Sequence, residues 1–141
     1  MSIFNFIIIY SILTISIIGY GFLFSIKFTK YNSIILNKIS IGFIGIFGIF
    51  FSIFISYITN FVFPHNNLHN LIFIFFGVLF FTIFIKKYRT QIYLKYFLFS
   101  FFIYFIAIFF FKSHDDFSYY HLSFIANLTQ NKIEFGIGHF D

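Results

Sequence analysis

A chain of 141 residues that is 60% hydrophobic, 28% aromatic and only 9% charged cannot build a soluble surface, which carries charge at about a quarter of its positions. The formal charge of +5 would suggest nucleic acid in a soluble chain, but here it gathers in two short loops and is a topology signal, so no nucleic-acid partner is expected. With no cysteine there is no disulfide, thiolate metal site or cysteine nucleophile, and 30 Phe beside abundant Ile and Lys match the codon usage of an AT-rich genome more than any function.

Crossing a hydrocarbon core of about 30 Å takes about 20 apolar residues at 1.5 Å each. The first such stretch is Ile3 to Ile26. No basic region precedes it, it has no small-residue cleavage site, and it is longer than a signal-peptide core, so it is expected to remain as a span. A loop with Lys27, Lys30 and Lys38 leads to the second stretch, Ile39 to Phe63. There Gly42, Gly45, Gly48 and Ser52 recur at three- and four-residue spacing, a small-residue stripe suited to close approach of a partner helix from this chain or another.

An uncharged loop containing Pro64, His65, Asn66 and Asn67 follows, then the third stretch, Leu68 to Ile85. Lys86, Lys87, Arg89 and Lys95 mark the next loop, and the fourth stretch, Tyr93 to Phe111, crosses if Lys95 snorkels to the headgroups. By the positive-inside rule both basic loops are cytoplasmic, and the N-terminus, the His65 loop and the C-terminal tail are extracytoplasmic. Tyr31, Tyr57, Tyr88, Tyr93 and Tyr96 near the span ends suit an interfacial belt.

Beyond Phe111, Phe117, Tyr120, Phe124 and Leu128 share one helical face, and Asp115 and Asp116 stand where carboxylates favour exposed amides. The expected architecture is therefore all-α and multi-pass in a bacterial inner (cytoplasmic) membrane. It has four transmembrane helices over 1–111 and an extracytoplasmic segment over 112–141 with an amphipathic surface helix at 116–130. Gly136 and Gly138 signal a turn and no closing element follows before Asp141, so the chain reads as the N-terminal part of a longer polytopic protein.

All the carboxylates (Asp115, Asp116, Glu134, Asp141) and all the histidines (His65, His69, His114, His121, His139) fall on the extracytoplasmic side in this reading. Asp115 and Asp116 are the strongest catalytic candidates. Partial desolvation and mutual repulsion can raise one pKa, suiting a general base, and the pair can also hold a divalent cation. Simple helix capping explains the same two residues.

His114 and His121 flank the pair about 10 Å apart on a helix, too far to share one ion. They remain candidates for hydrogen bonding to substrate, or for plain interfacial solvation. Tyr119 and Tyr120 can stack on a sugar ring or anchor the helix. His65 and His69 have i, i+4 spacing, and Pro64 as first helical residue would align their rings. No carboxylate accompanies them, so no metal site is expected unless the Asp pair folds over them. Asn127-Leu128-Thr129 matches a glycosylation sequon, a frequent chance match. No Walker motif, nucleophile elbow or Gly-rich phosphate loop occurs.

The run Lys-Ser-His-Asp-Asp-Phe-Ser-Tyr-Tyr-His-Leu from Lys112, followed by Leu-Thr-Gln-Asn-Lys-Ile-Glu-Phe-Gly-Ile-Gly from Leu128, resembles bacterial polytopic membrane proteins related to GT-C-type glycosyltransferases. The resemblance implies a polyprenyl-phosphate-linked sugar donor and assigns Asp115 or Asp116 as general base toward an acceptor hydroxyl or as a metal ligand. In many such families the acidic pair follows the first helix, whereas here it follows the fourth stretch.

This segment alone is expected to be inactive as an enzyme. The alternative is a small non-enzymatic four-helix membrane subunit that packs against a larger complex. A transporter fragment is disfavoured because no charge lies centrally in a span.

Overall fold

The computed structural model describes residues 3–28, 39–88, 91–110, 117 and 119–133. Helix α1 spans Ile3–Phe28, α2 Ile41–Asn60, α3 Asn67–Tyr88, α4 Gln91–Phe110 and α5 His121–Gln130; no strand occurs among the described residues. The chain is all-α although Ile and Phe favour strands in water. In lipid a helix satisfies its own backbone, whereas an open strand edge leaves polar groups unpaired.

Among the described residues three helices are long and apolar enough to cross a membrane: Ile3–Lys27, Ile41–Asn60 and Asn67–Lys86, with mean hydropathies of 2.2, 2.3 and 2.4. The fourth expected stretch forms α4, a helix of 20 residues. Their outer faces are apolar and exposed, as with Phe50 and Phe54 on α2 and Leu71 and Phe75 on α3, which suits contact with acyl chains rather than water.

Local signals set the ends of the helices. Ser40 caps α2 from extended backbone, its hydroxyl accepting from the Phe43 amide at 3.4 Å. At the other end the Val62 and Phe63 amides turn back to the Thr59 carbonyl at 3.0 and 2.8 Å. Pro64 then follows, and Asn66 opens α3, its Oδ1 accepting from the His69 amide at 3.0 Å.

Helix α1 lies between α2 and α3, antiparallel to the first and parallel to the second. The ring contacts Phe24 with Phe47 and Phe22 with Phe84 follow this order. A Cβ on Gly19 would land on the Gly77 carbonyl, one on Gly21 on the Ile44 carbonyl, one on Gly48 on the Ile17 carbonyl, and one on Gly77 on Ser16. These glycines bring backbone against backbone, the device available where apolar burial gives no net drive. Ile18, Phe22, Ile41 and Ile44 fill the seam, with Phe81 and Phe84 packed against them. The Tyr20 hydroxyl crosses to α3 and donates to the Phe73 carbonyl at 2.7 Å. Helix α4 meets α1 through Tyr10 and Phe101, with ring centroids 4.7 Å apart.

The small-residue stripe of α2 divides. Gly48 packs within the chain, but a Cβ on Gly45 would meet nothing within 4 Å and one on Gly42 only its neighbour Ser40. The glycines that the spacing did not single out, Gly19, Gly21 and Gly77, share the close seam with Gly48. The expected 116–130 helix is shorter: α5 starts at His121 with Tyr120 at its N-cap and no side-chain cap bond. Asp115 and Asp116 lie outside the described residues.

Candidate functional site

Polar groups converge at one end of the bundle, where α2 ends and α3 begins, opposite the end that carries Lys27 and Lys86. Thr59 occupies the last turn of α2, and its Oγ1 lies 3.3 Å from His65 Nε2 and 3.1 Å from His69 Nε2. The two imidazoles stack with centroids 4.4 Å apart and planes within 11°. Pro64 and His65 are in the loop rather than on the helix expected from their spacing, since α3 starts at Asn67. The rings meet because Asn66 turns the chain sharply, with its own amide on the Pro64 carbonyl side at 2.8 Å.

One hydrogen-bond network links these side chains. Asn70 donates its amide NH2 to the His65 carbonyl at 3.0 Å, so its Oδ1, 3.4 Å from His69 Nδ1, must accept and Nδ1 must carry the proton. The Thr59 hydroxyl has two acceptors within reach, the Ser56 carbonyl at 3.1 Å and His69 Nε2 at 3.1 Å, and its oxygen can accept from His65 Nε2. The result is a closed ring from His65 through Thr59, His69 and Asn70 back to His65. Burial lowers the His65 pKa from its ordinary value, and the neighbouring His69 lowers it further against the opposing Ser56 carbonyl. Both causes favour the uncharged His65 imidazole.

The segment after α5 is tied to the same end. Leu128, in the last turn of α5, accepts at its carbonyl from the His65 amide at 2.9 Å and from Asn60 Nδ2 at 3.4 Å. The Ile133 amide donates to the Asn60 carbonyl at 3.2 Å. Asn60 is 1% exposed. Its Nδ2 also lies 3.5 Å from the Phe63 carbonyl, so two carbonyl acceptors fix the amide's orientation and leave Oδ1 without a partner among the described residues.

Two cavities flank the end of α2. One, of about 370 Å³, takes Ser52, Ser56, Asn60 and His65 as its polar points. The other, of about 610 Å³, runs along the groove between α2 and α3, with Thr59, Asn66 and His69 at its head and Tyr20, Phe73 and Phe80 along its body. Both combine a polar head with an apolar wall, the pattern of a site for an amphiphile.

Of the site residues expected from sequence, His114, Asp115 and Asp116 lie outside the described residues, as do Glu134, His139 and Asp141. Tyr119 and Tyr120 form an exposed turn, and His121 opens α5 with its ring 6.3 Å from that of Phe117. The structure does not bring these three to the His65–His69 ring or to either cavity. Among the described residues no three His, Cys, Asp or Glu side chains gather to hold a metal. Thr59 and Asn60 were missed as site residues. Their signal was present as two hydrogen-bonding side chains closing an otherwise apolar helix. Comparison with family models, curated proteins and solved structures finds no match to this chain.

Proposed function

We propose that this chain is the membrane-embedded part of a GT-C-like glycosyltransferase or envelope-polysaccharide assembly protein that handles a lipid-linked sugar at its extracytoplasmic face. The supporting observation is the pair of head-and-wall cavities at one bundle end, the end to which the segment following Asp115 and Asp116 is hydrogen-bonded. In this reading the end with Lys27 and Lys86 is cytoplasmic, and α4 completes four spans. The α5 helix rests on the outer headgroups with Tyr119 and Tyr120, which are 79% and 72% exposed, available to a sugar face. Asp115 or Asp116 acts as general base toward the acceptor hydroxyl or holds a divalent cation beside the donor phosphate.

Transfer from a polyprenyl-phosphate-linked sugar, measured with the full-length protein in membranes, tests the catalytic assignment. Asp115→Asn or Asp116→Asn should lower transfer at one position at least by about 100-fold or more, the usual range for a general base, with membrane insertion intact. Wild-type rates in both variants reject the role. Because the chain has no cysteine, Asp115→Cys and Lys87→Cys report sidedness cleanly. An impermeant thiol reagent added to intact cells should label position 115 and spare position 87.

A second reading, a non-enzymatic subunit, draws on one observation: Gly42 and Gly45 leave backbone uncovered on α2, where another protein's helix can lie. Bulky residues at both positions should dissociate such a complex without unfolding this chain.

A further inference from the structure

We propose that the cavity beside Asn60 binds an uncharged, hydroxyl-bearing membrane amphiphile, whose hydroxyl donates to Asn60 Oδ1 while its chain leaves sideways into the bilayer. This does not rest on the sugar-transfer reading, because the ligand it names carries no phosphate.

The polarity of the ligand follows from the acceptor. Asn60 Oδ1 is buried and has no partner among the described residues, and an acceptor kept from both water and protein donors is destabilising. The two carbonyls at Nδ2 prevent the amide from flipping to present a donor instead. The incoming group must therefore bring a proton to share. Ionised phosphate and carboxylate are acceptors only and would set oxygen against oxygen. An ammonium can donate, but no described lining residue carries the opposite charge, and an unpaired charge there is heavily penalised. A hydroxyl fits both demands. Ser52, whose Oγ is likewise buried without a partner among the described residues and which lines the same cavity, supplies a second point for a diol or a glycerol head.

The remainder of the ligand follows from the wall. Ile53, Tyr57, Leu128 and Ile133 make it apolar, and Ile53 and Tyr57 are exposed on the outer face of α2, so the mouth opens laterally toward acyl chains. About 370 Å³ exceeds the roughly 150 Å³ that holds benzene, leaving room for a small head and the first carbons of a chain.

The full chain in phosphatidylcholine vesicles can be photolabelled with a monoacylglycerol bearing a diazirine near its ester, and the adducts mapped by mass spectrometry. Labelling should fall on Ile53, Tyr57 or Ile133. Unlabelled monooleoylglycerol should compete about 2- to 10-fold better than methyl oleate, the range expected for one net hydrogen bond. Asn60→Leu should erase that preference. Ser52→Ala, which removes a hydroxyl that bonds nothing among the described residues, should reduce it with helicity unchanged, so a folding defect in the first variant does not decide the matter. Equal competition by the ester overturns the proposal, as do adducts spread over the lipid-facing helices with none at the cavity.

Discussion

The middle of the bundle and its histidine-bearing end are held together by opposite means. In the seam of α1 with α2 and α3, glycines bring carbonyls and helix backbones into contact, and the main polar crossing is Tyr20 to Phe73. At the end of α2, directional bonds among Thr59, Asn60, His65, His69, Asn70 and Leu128 do the joining. Inside a bilayer, apolar surface already sits in an apolar solvent, so shape and dispersion must supply cohesion. Where the helices emerge, freed backbone groups need partners, and polar side chains supply them.

The sharpest way to break this contrast is to add volume to the seam. Gly77→Leu would drive a side chain first into the Ser16 hydroxyl and then into the Ser16 backbone just behind it, and should destabilise the bundle by about 3 kcal/mol. Gly45→Ala, on the same α2 stripe as Gly48 but facing open space, should be neutral or stabilising by up to about 1 kcal/mol through helix propensity. Unfolding midpoints in detergent would separate the two. Equal losses would mean that the glycines do not define the packing face. At the polar end, Asn60→Leu strands the Leu128 carbonyl and should cost about 2 kcal/mol, read as earlier proteolysis after residue 110 with the spans still protected.

The long apolar helices were legible because their signal is collective. Leu68 to Ile85 predicts α3 to within a few residues of Asn67–Tyr88, since about 20 apolar residues leave few other structures in lipid. Choosing among the glycines was not legible. Gly42, Gly45 and Gly48 share a spacing, yet only Gly48 meets another helix backbone, because the register of α2 on α1 sets Gly48 against Ile17 and Gly21 against Ile44. The His65–His69 pairing was visible as i, i+4 spacing, but its cause differs: a loop closed by Asn66 and Asn70 stacks the rings, with no helix beneath His65. The Asn60 contact with Leu128 joins residues 68 positions apart, and no local pattern announces it.

A smaller effect tests the polar bond from Tyr20 to Phe73 within the seam. Tyr20→Phe removes the donor to the Phe73 carbonyl while leaving the ring stacked at 4.5 Å. An interhelical bond in a membrane is worth about 0.6 kcal/mol, so the unfolding midpoint should fall only slightly. A loss of several kcal/mol would show that directional bonding, not backbone contact, secures the seam.

The gentlest perturbation is acid, which reaches the polar end and leaves the seam alone. His65 is only half buried, so solvent screens part of its response. Its pKa is lowered in the folded chain, first by burial and then by His69, with the Ser56 carbonyl opposing, and the other group at its ring is the neutral Thr59 hydroxyl. The released loop binds a proton at the ordinary value of 6.5, so between that value and the lower folded one the released state holds more protons. Docking of α5 is therefore complete above pH 6.5, weakens as pH falls through that interval, and levels off below it. A spin label at Leu122→Cys, on an exposed position of α5, should gain mobility on acidification and regain order on return. His65→Gln removes the titrating ring and should flatten the response. If the label loosens equally in that variant, the histidine ring is not what fastens the segment to the bundle.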